Sequence, residues 1–142
     1  MFVDLNVKLL YESSKMPIKA HDDDFGIDFF AAETVKIWPR KRKLISLGIA
    51  TEITPGFGIL LCDRSGMAAK RGLHVIAGVI DASYRGPWKA CLINLDQNSQ
   101  FIQVGDKIVQ GIVIPVPIVT IQEVTSLNET ERGGNGFGST GV

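Results

Sequence analysis

Val3-Asp4-Leu5-Asn6-Val7-Lys8-Leu9 alternates apolar and polar side chains without a break. A period of two puts one row of side chains on each face of an extended chain, so the stretch reads as a half-buried β-strand. Thr34-Val35-Lys36-Ile37 repeats the pattern. Further short apolar runs cover residues 44–53, 57–62, 75–80, 88–95, 108–114 and 118–124. Turn formers separate them: Pro55-Gly56, Gly86-Pro87, Asp96-Gln97-Asn98 and Gly105-Asp106. Many short strands punctuated in this way indicate an all-β sandwich or barrel. Pro115 and Pro117 mark an edge strand or a crossover, because proline donates nothing to a ladder. Only Ser65-Gly66-Met67-Ala68-Ala69-Lys70-Arg71-Gly72 reads as helical, with Ser65 placed to cap it and Gly72 to end it.

The bulk properties fit one domain. The chain has 142 residues, 45% of them hydrophobic and 21% charged, and its formal net charge is zero. That balance offers no overall electrostatic case for a nucleic-acid partner, although a small anion needs only local donors. Cys62 and Cys91 lie in apolar runs and are expected as buried thiols rather than as a disulfide framework. No apolar run has membrane-spanning length, so no membrane partner is expected. Met1-Phe2-Val3-Asp4-Leu5 does not have the form of a signal peptide, and the expected compartment is the cytoplasm. A nuclear location stays open if the source is eukaryotic or viral.

Gly78-Val79-Ile80-Asp81-Ala82-Ser83-Tyr84-Arg85-Gly86 concentrates the chemistry. It reads as a strand that turns at a carboxylate and leaves an aromatic ring and a cation just beyond. Asp81 can orient or deprotonate a water. Tyr84 can lie against a sugar. The plain alternative is a hairpin with Asp in its turn. Arg40-Lys41-Arg42-Lys43 reads first as a solvated hairpin tip, with nuclear import or nucleic-acid contact as the other option. Asp22-Asp23-Asp24 reads as a solvated loop. Arg132-Gly133-Gly134-Asn135-Gly136-Phe137-Gly138-Ser139-Thr140-Gly141 is half glycine and cannot hold a fold alone. Its arginine, aromatic ring and hydroxyls would suit closure over an anionic ligand.

Taken together, the chain resembles the trimeric deoxyuridine triphosphatase (dUTPase) family over nearly its whole length. Five motifs carry the resemblance, in the family's order: Phe25-Gly26-Ile27-Asp28-Phe29-Phe30-Ala31, Arg64-Ser65-Gly66-Met67-Ala68, residues 78–86, Gly105-Asp106-Lys107-Ile108-Val109-Gln110, and the glycine tail. The resemblance implies a distorted jelly-roll of mostly antiparallel strands with one short helix, a β domain over residues 1–131, and a flexible arm over 132–142 that closes the site. It implies Mg²⁺-assisted hydrolysis of dUTP to dUMP and pyrophosphate by in-line attack of water on the α-phosphorus. Asp81 matches the water-activating carboxylate. Arg64, Ser65 and Gly66 match the phosphate cradle, and Gln110 a residue near the phosphates. Asp28 matches a carboxylate that holds metal-bound water. Tyr84 matches the ring that excludes a ribose 2′-hydroxyl, while the backbone of the hairpin carrying Val75, Gly78 and Ile80 would read uracil. Arg132 would reach the terminal phosphates, Phe137 would cover the base, and Gly138, Ser139 and Thr140 would meet phosphate oxygens. The resemblance further implies a homotrimer whose sites are shared between subunits.

Several positions depart from that pattern. Asp63 stands where proline is usual, and an anion beside a phosphate site is unfavourable unless it points away or holds metal water. Ser83 replaces a common acidic residue, Gly111 a larger apolar one, and Val75 is apolar where some members carry an amide. Pro39-Arg40-Lys41-Arg42 replaces a more neutral turn. Two alternatives remain beside dUTP hydrolysis. A dCTP deaminase of the same fold calls for a second serine after Arg-Ser and a glutamate near the hairpin, whereas Gly66 follows Ser65 and no Glu lies between Glu52 and Glu123. A nucleotide-controlled regulatory binding protein is the other.

Overall fold

Short strands that each bury one face must find partners far along the chain, and among the described residues every pair is antiparallel. The computed structural model describes residues 2–136. In chain order the elements are β1 (Leu5–Leu9), β2 (Ile27–Phe30), β3 (Val35–Ile37), β4 (Arg42–Ser46), β5 (Ile49–Ile53), β6 (Phe57–Asp63), α1 (Ser65–Arg71), β7 (Leu73–Val75), β8 (Val79–Ile80), β9 (Lys89–Asn94), β10 (Gln100–Ile102) and β11 (Lys107–Pro115). A four-stranded sheet runs β2-β11-β6-β8 and a three-stranded sheet runs β4-β9-β7. The ribbons β1-β5 and β10-β3 complete a distorted jelly-roll.

Period-two alternation determines what is buried. On β6, Ile59 and Leu61 face the core, and Leu60 and Cys62 face outward. Phe29 and Trp88 pack at the centre with ring centroids 5.2 Å apart, surrounded by Ile37, Ile45, Leu47, Leu92, Ile102 and Ile108. Gly111 is explained by this core. A Cβ there would lie 2.6 Å from the Phe29 ring and 2.9 Å from Ile59, so those two residues already fill the space a larger side chain would take.

Some expectations change. The run 44–53 forms two strands, β4 and β5, because the chain turns at Leu47-Gly48, where Gly48 has φ 68°. The run 75–80 is broken between β7 and β8 by Ala77 and Gly78, at φ 65° and 138°. The strands β2 and β10 are short and lack clean alternation, so the sequence pattern does not announce them. The helix does end at Gly72 in the left-handed conformation, but Arg64 occupies the N-cap position and no side chain caps it. Ser65 is instead the first helical residue, which leaves its hydroxyl exposed. Cys62 and Cys91 are free thiols and only half-buried.

The run 118–124 forms no strand. Among the described residues, regular structure ends at Pro115, well short of residue 131, and residues 116–135 are exposed. A strand needs a ladder partner, and the last one this segment finds is Gly56, whose carbonyl accepts the Val116 N–H at 2.8 Å. Among the described residues no helix is long and apolar enough to cross a membrane.

Candidate active site

The hairpin β7–β8 and the turn after it shape a cleft of about 400 Å³ lined by Ala77, Gly78, Val79, Ile80, Asp81, Tyr84, Pro87 and Lys89. Asp81 sits exposed where β8 ends, and its carbonyl accepts the Tyr84 N–H at 3.1 Å to close the turn. The Tyr84 hydroxyl donates to the Pro87 carbonyl at 3.1 Å, which fixes the ring. Gly86 is required beneath that ring, since a Cβ would fall within 2.5 to 2.7 Å of its atoms. Gly78 is required for a similar reason: its φ suits glycine alone, and a Cβ would meet the Leu61 carbonyl at 3.0 Å. Arg85 buttresses the turn. Its guanidinium donates to the Ala82 carbonyl at 2.6 Å and pairs with Glu52 at 3.3 Å, tying the turn to β5.

A second group forms where β6 gives way to α1. The Arg64 Nε donates to Asp28 Oδ1 at 2.8 Å, and the Lys107 ammonium lies 2.9 Å from Asp28 Oδ2. Arg64 also donates to the Lys107 carbonyl at 3.1 Å. The cluster therefore carries two cations against one carboxylate. Ser65 and Gly66 lie exposed beside it, and apart from its chain neighbours and its own helix backbone no atom of the described residues comes within 4 Å of the place a Gly66 Cβ would occupy. Gln110 donates to the Asp63 carbonyl at 2.7 Å, and its side chain lies across Gly26, where a Cβ would sit 2.3 Å from its Oε1. Ala20, Asp24, Phe25, Gly26, Asp28 and Gln110 line a small hollow there. The backbone N–H of His21 holds the Asp24 carboxyl below its usual range.

The anticipated residues thus separate into these two groups. Gly78, Ile80, Asp81 and Tyr84 line the cleft, to which Arg64, Ser65 and Gly66 contribute nothing. Arg64, Ser65, Gly66, Asp28 and Gln110 form the cationic junction. Val75 does not line the cleft: it is buried in β7, and its N–H is spent on Asp63. Arg132 donates to Asn135 at 3.0 Å and joins neither group. Phe137, Gly138, Ser139 and Thr140 lie outside the described residues.

Both Asp28 oxygens pair with cations, so the geometry gives this carboxylate an ion-pairing role beside the metal-bound water that the resemblance implies. Among the described residues, no group of three or more His, Cys, Asp or Glu could hold a metal ion. Sequence reasoning misses Pro87, Lys89 and Lys107. Lys107 is visible inside the fourth motif, but only the β2–β11 pairing brings it to Asp28.

The class defined here is a jelly-roll of antiparallel strands with two separate surfaces. One displays a turn-borne carboxylate beside an aromatic ring, and the other a cation-rich junction. The chain belongs to the dUTPase family, whose model matches residues 12–141. It is 47% identical over 130 residues to the deoxyuridine 5′-triphosphate nucleotidohydrolase of Corynebacterium diphtheriae, covering 89% of this chain and 86% of that protein. The dUTPase of Staphylococcus bacteriophage 80alpha, solved with dUpNHpp, superposes with a TM-score of 0.90 at 31% identity, covering 98% of this chain and 99% of that one. A mutant dUTPase from phage phi11 of S. aureus, described with a structural Mg(II) ion, gives 0.82 at 28% identity over 89% of this chain and 99% of that one.

Proposed function

We propose that this chain hydrolyses dUTP to dUMP and pyrophosphate, as a homotrimer with sites shared between subunits. The observation that carries this reading is the placement of Asp81 and Tyr84 on one rigid turn at the rim of a hairpin cleft. An exposed carboxylate there can take a proton from a water and aim it. The water oxygen bonds to the α-phosphorus as the bridging oxygen to the β-phosphorus departs with pyrophosphate, and the proton passes through Asp81 to solvent. The Tyr84 ring packs on the deoxyribose and leaves no room for a 2′-hydroxyl. Free backbone groups of the bent segment 76–78 meet the uracil edge.

Arg64, Ser65 and Gly66 provide the cation, hydroxyl and open backbone that a triphosphate needs, with Gln110 alongside. Magnesium accompanying the triphosphate would supply charge neutralisation beside Arg64 and Ser65. The arm 132–142, with Arg132, Phe137, Gly138, Ser139 and Thr140, closes over the nucleotide.

The trimer is supported by unpartnered apolar surface around Asp81. A cleft of about 550 Å³ lined by Phe57, Leu60, Val79, Ile114, Val116 and Ile118, among others, runs up to Asp81 itself. Exposed apolar surface of this extent is what an association face presents. The exposed segment 116–135, rich in Ile and Val, would gain from a neighbour the ladder partner it lacks in its own chain.

The deciding experiment is pyrophosphate release from dUTP, dTTP, dCTP and UTP, with and without Mg²⁺, on protein sized in solution. Release from dUTP alone by a trimer is the expected result. Ammonia from dCTP would favour the deaminase, and an inert monomer would reject the proposal.

A further inference from the structure

β7 ends the three-stranded sheet and β8 ends the four-stranded one, so the chain between them crosses from sheet to sheet. Two anchors on β6 hold the crossing. The Leu61 N–H donates to the Gly78 carbonyl at 2.9 Å. The Asp63 Oδ1 accepts the Val75 N–H at 2.6 Å. Successive residues of an antiparallel strand turn their backbone groups to opposite sides. Here the Ile76 N–H bonds the Cys91 carbonyl on β9 at 2.9 Å, so Val75 faces away from its own sheet. The Asp63 carboxylate therefore stands in for a missing strand and closes an otherwise unpaired edge.

The second oxygen of Asp63 meets His74 Nδ1 at 2.7 Å. A ring proton on Nδ1 donates to the carboxylate and turns its charge toward β7. The Asp63 backbone carbonyl meanwhile accepts from Gln110 at 2.7 Å. An anion out of place beside Arg64 by its sequence position is thereby held by Val75 and His74. The segment between the two anchors contains Ala77 at φ 65°, a sparsely populated conformation for alanine that persists only where its surroundings impose it. Ala77 and Gly78 form one wall of the Asp81 cleft.

We propose that Asp63 and His74 are positioning residues that set the aperture of the base-reading segment 76–78, and with it the discrimination between uracil and thymine nucleotides. The proposal rests on the reading of this cleft as the dUTP site. Thymine differs from uracil by one methyl group, so rejecting it requires a wall that does not yield. Removing one of the two anchors lets that wall give way. Neither residue lines the Asp81 cleft.

The test is steady-state kinetics with dUTP and dTTP on the full-length protein and on Asp63→Ala, Asp63→Asn and His74→Ala. Loss of a charge-assisted anchor in Asp63→Ala raises KM for dUTP about tenfold with kcat held within about twofold. The kcat/KM preference for dUTP over dTTP falls by a similar factor. Asp63→Asn keeps an oxygen for the Val75 N–H and recovers most of the loss, and His74→Ala lies between. Amide exchange at Val75 accelerates in Asp63→Ala while the rest of the sheet keeps its protection. A folded Asp63→Ala protein with parental KM and parental nucleotide preference overturns the proposal, as does a fall in stability alone. If Asp63→Ala does not fold, His74→Ala, altered at a half-exposed ring, carries the same test with the same criteria. Failure of the parent to hydrolyse dUTP would reject the site reading instead, and exchange at Val75 would still report the clamp.

Discussion

Replacing Asp28 with asparagine would decide whether this carboxylate serves the fold or a metal. Its side chain is 18% exposed and holds Arg64 at 2.8 Å and Lys107 at 2.9 Å, themselves 32% and 34% exposed. Asparagine keeps an acceptor for Arg64 but turns an N–H₂ group toward the Lys107 ammonium, leaving a partly desolvated cation without a partner. Breaking a fully buried pair costs about 3–5 kcal/mol. With both cations about a third exposed, screening by solvent reduces that to about 2 kcal/mol. For a domain of this size the loss corresponds to a fall of about 7 °C in melting temperature. Calorimetry at fixed protein concentration measures it. The difference should narrow in 0.5 M salt, taken as roughly the range where screening is strong. The Mg²⁺ concentration giving half-maximal dUTP hydrolysis should stay where it is in the parent. Unchanged stability together with a raised Mg²⁺ requirement would refute the ion-pair account and assign Asp28 to the metal.

Three further outcomes follow from the same geometry. Asp81→Asn should bind dUTP as the parent does while kcat falls about 10²–10⁴-fold, read by pyrophosphate release; retained turnover would remove Asp81 as the base. Tyr84→Ala should narrow the preference for dUTP over UTP by about tenfold, because the ring no longer fills the space of the 2′-hydroxyl, and an unchanged ratio in competition kinetics would count against the sugar wall. Leu60→Asp places a charge on the outward face of β6 beside Val79 and Ile112, where covering it with a second copy costs several kcal/mol. Sedimentation should then report a monomer that does not hydrolyse dUTP, and an active trimer would refute this face as the interface.

Much of the site is legible in the sequence because its determinants are local. Gly78, Asp81, Tyr84 and Gly86 lie within nine residues and act on one turn, so their spacing alone suggests a carboxylate beside a ring. The helix stop at Gly72 is equally local, needing only a residue that accepts the left-handed conformation. Ser65 illustrates the limit of such reading. Its type suits a cap, yet the chain enters the helix one residue earlier, and the hydroxyl is left exposed. Val75 escapes local reading for a related reason. The sequence shows an apolar residue next to a hairpin, but only the register between β7 and β9 decides which way its N–H points.

The sequence by itself determined the all-β class, the turns and the residue types of the site, because side-chain alternation and backbone preference act over a few residues. Tertiary structure alone decided the partnerships. Asp28 meets Arg64 across 36 positions and Lys107 from another strand, Asp63 closes an edge eleven and twelve residues away, and Gly111 is admissible because Phe29 and Ile59 occupy its space. Charge pairing and close packing depend on distances of a few ångströms between segments remote in the chain, and no local pattern encodes those distances.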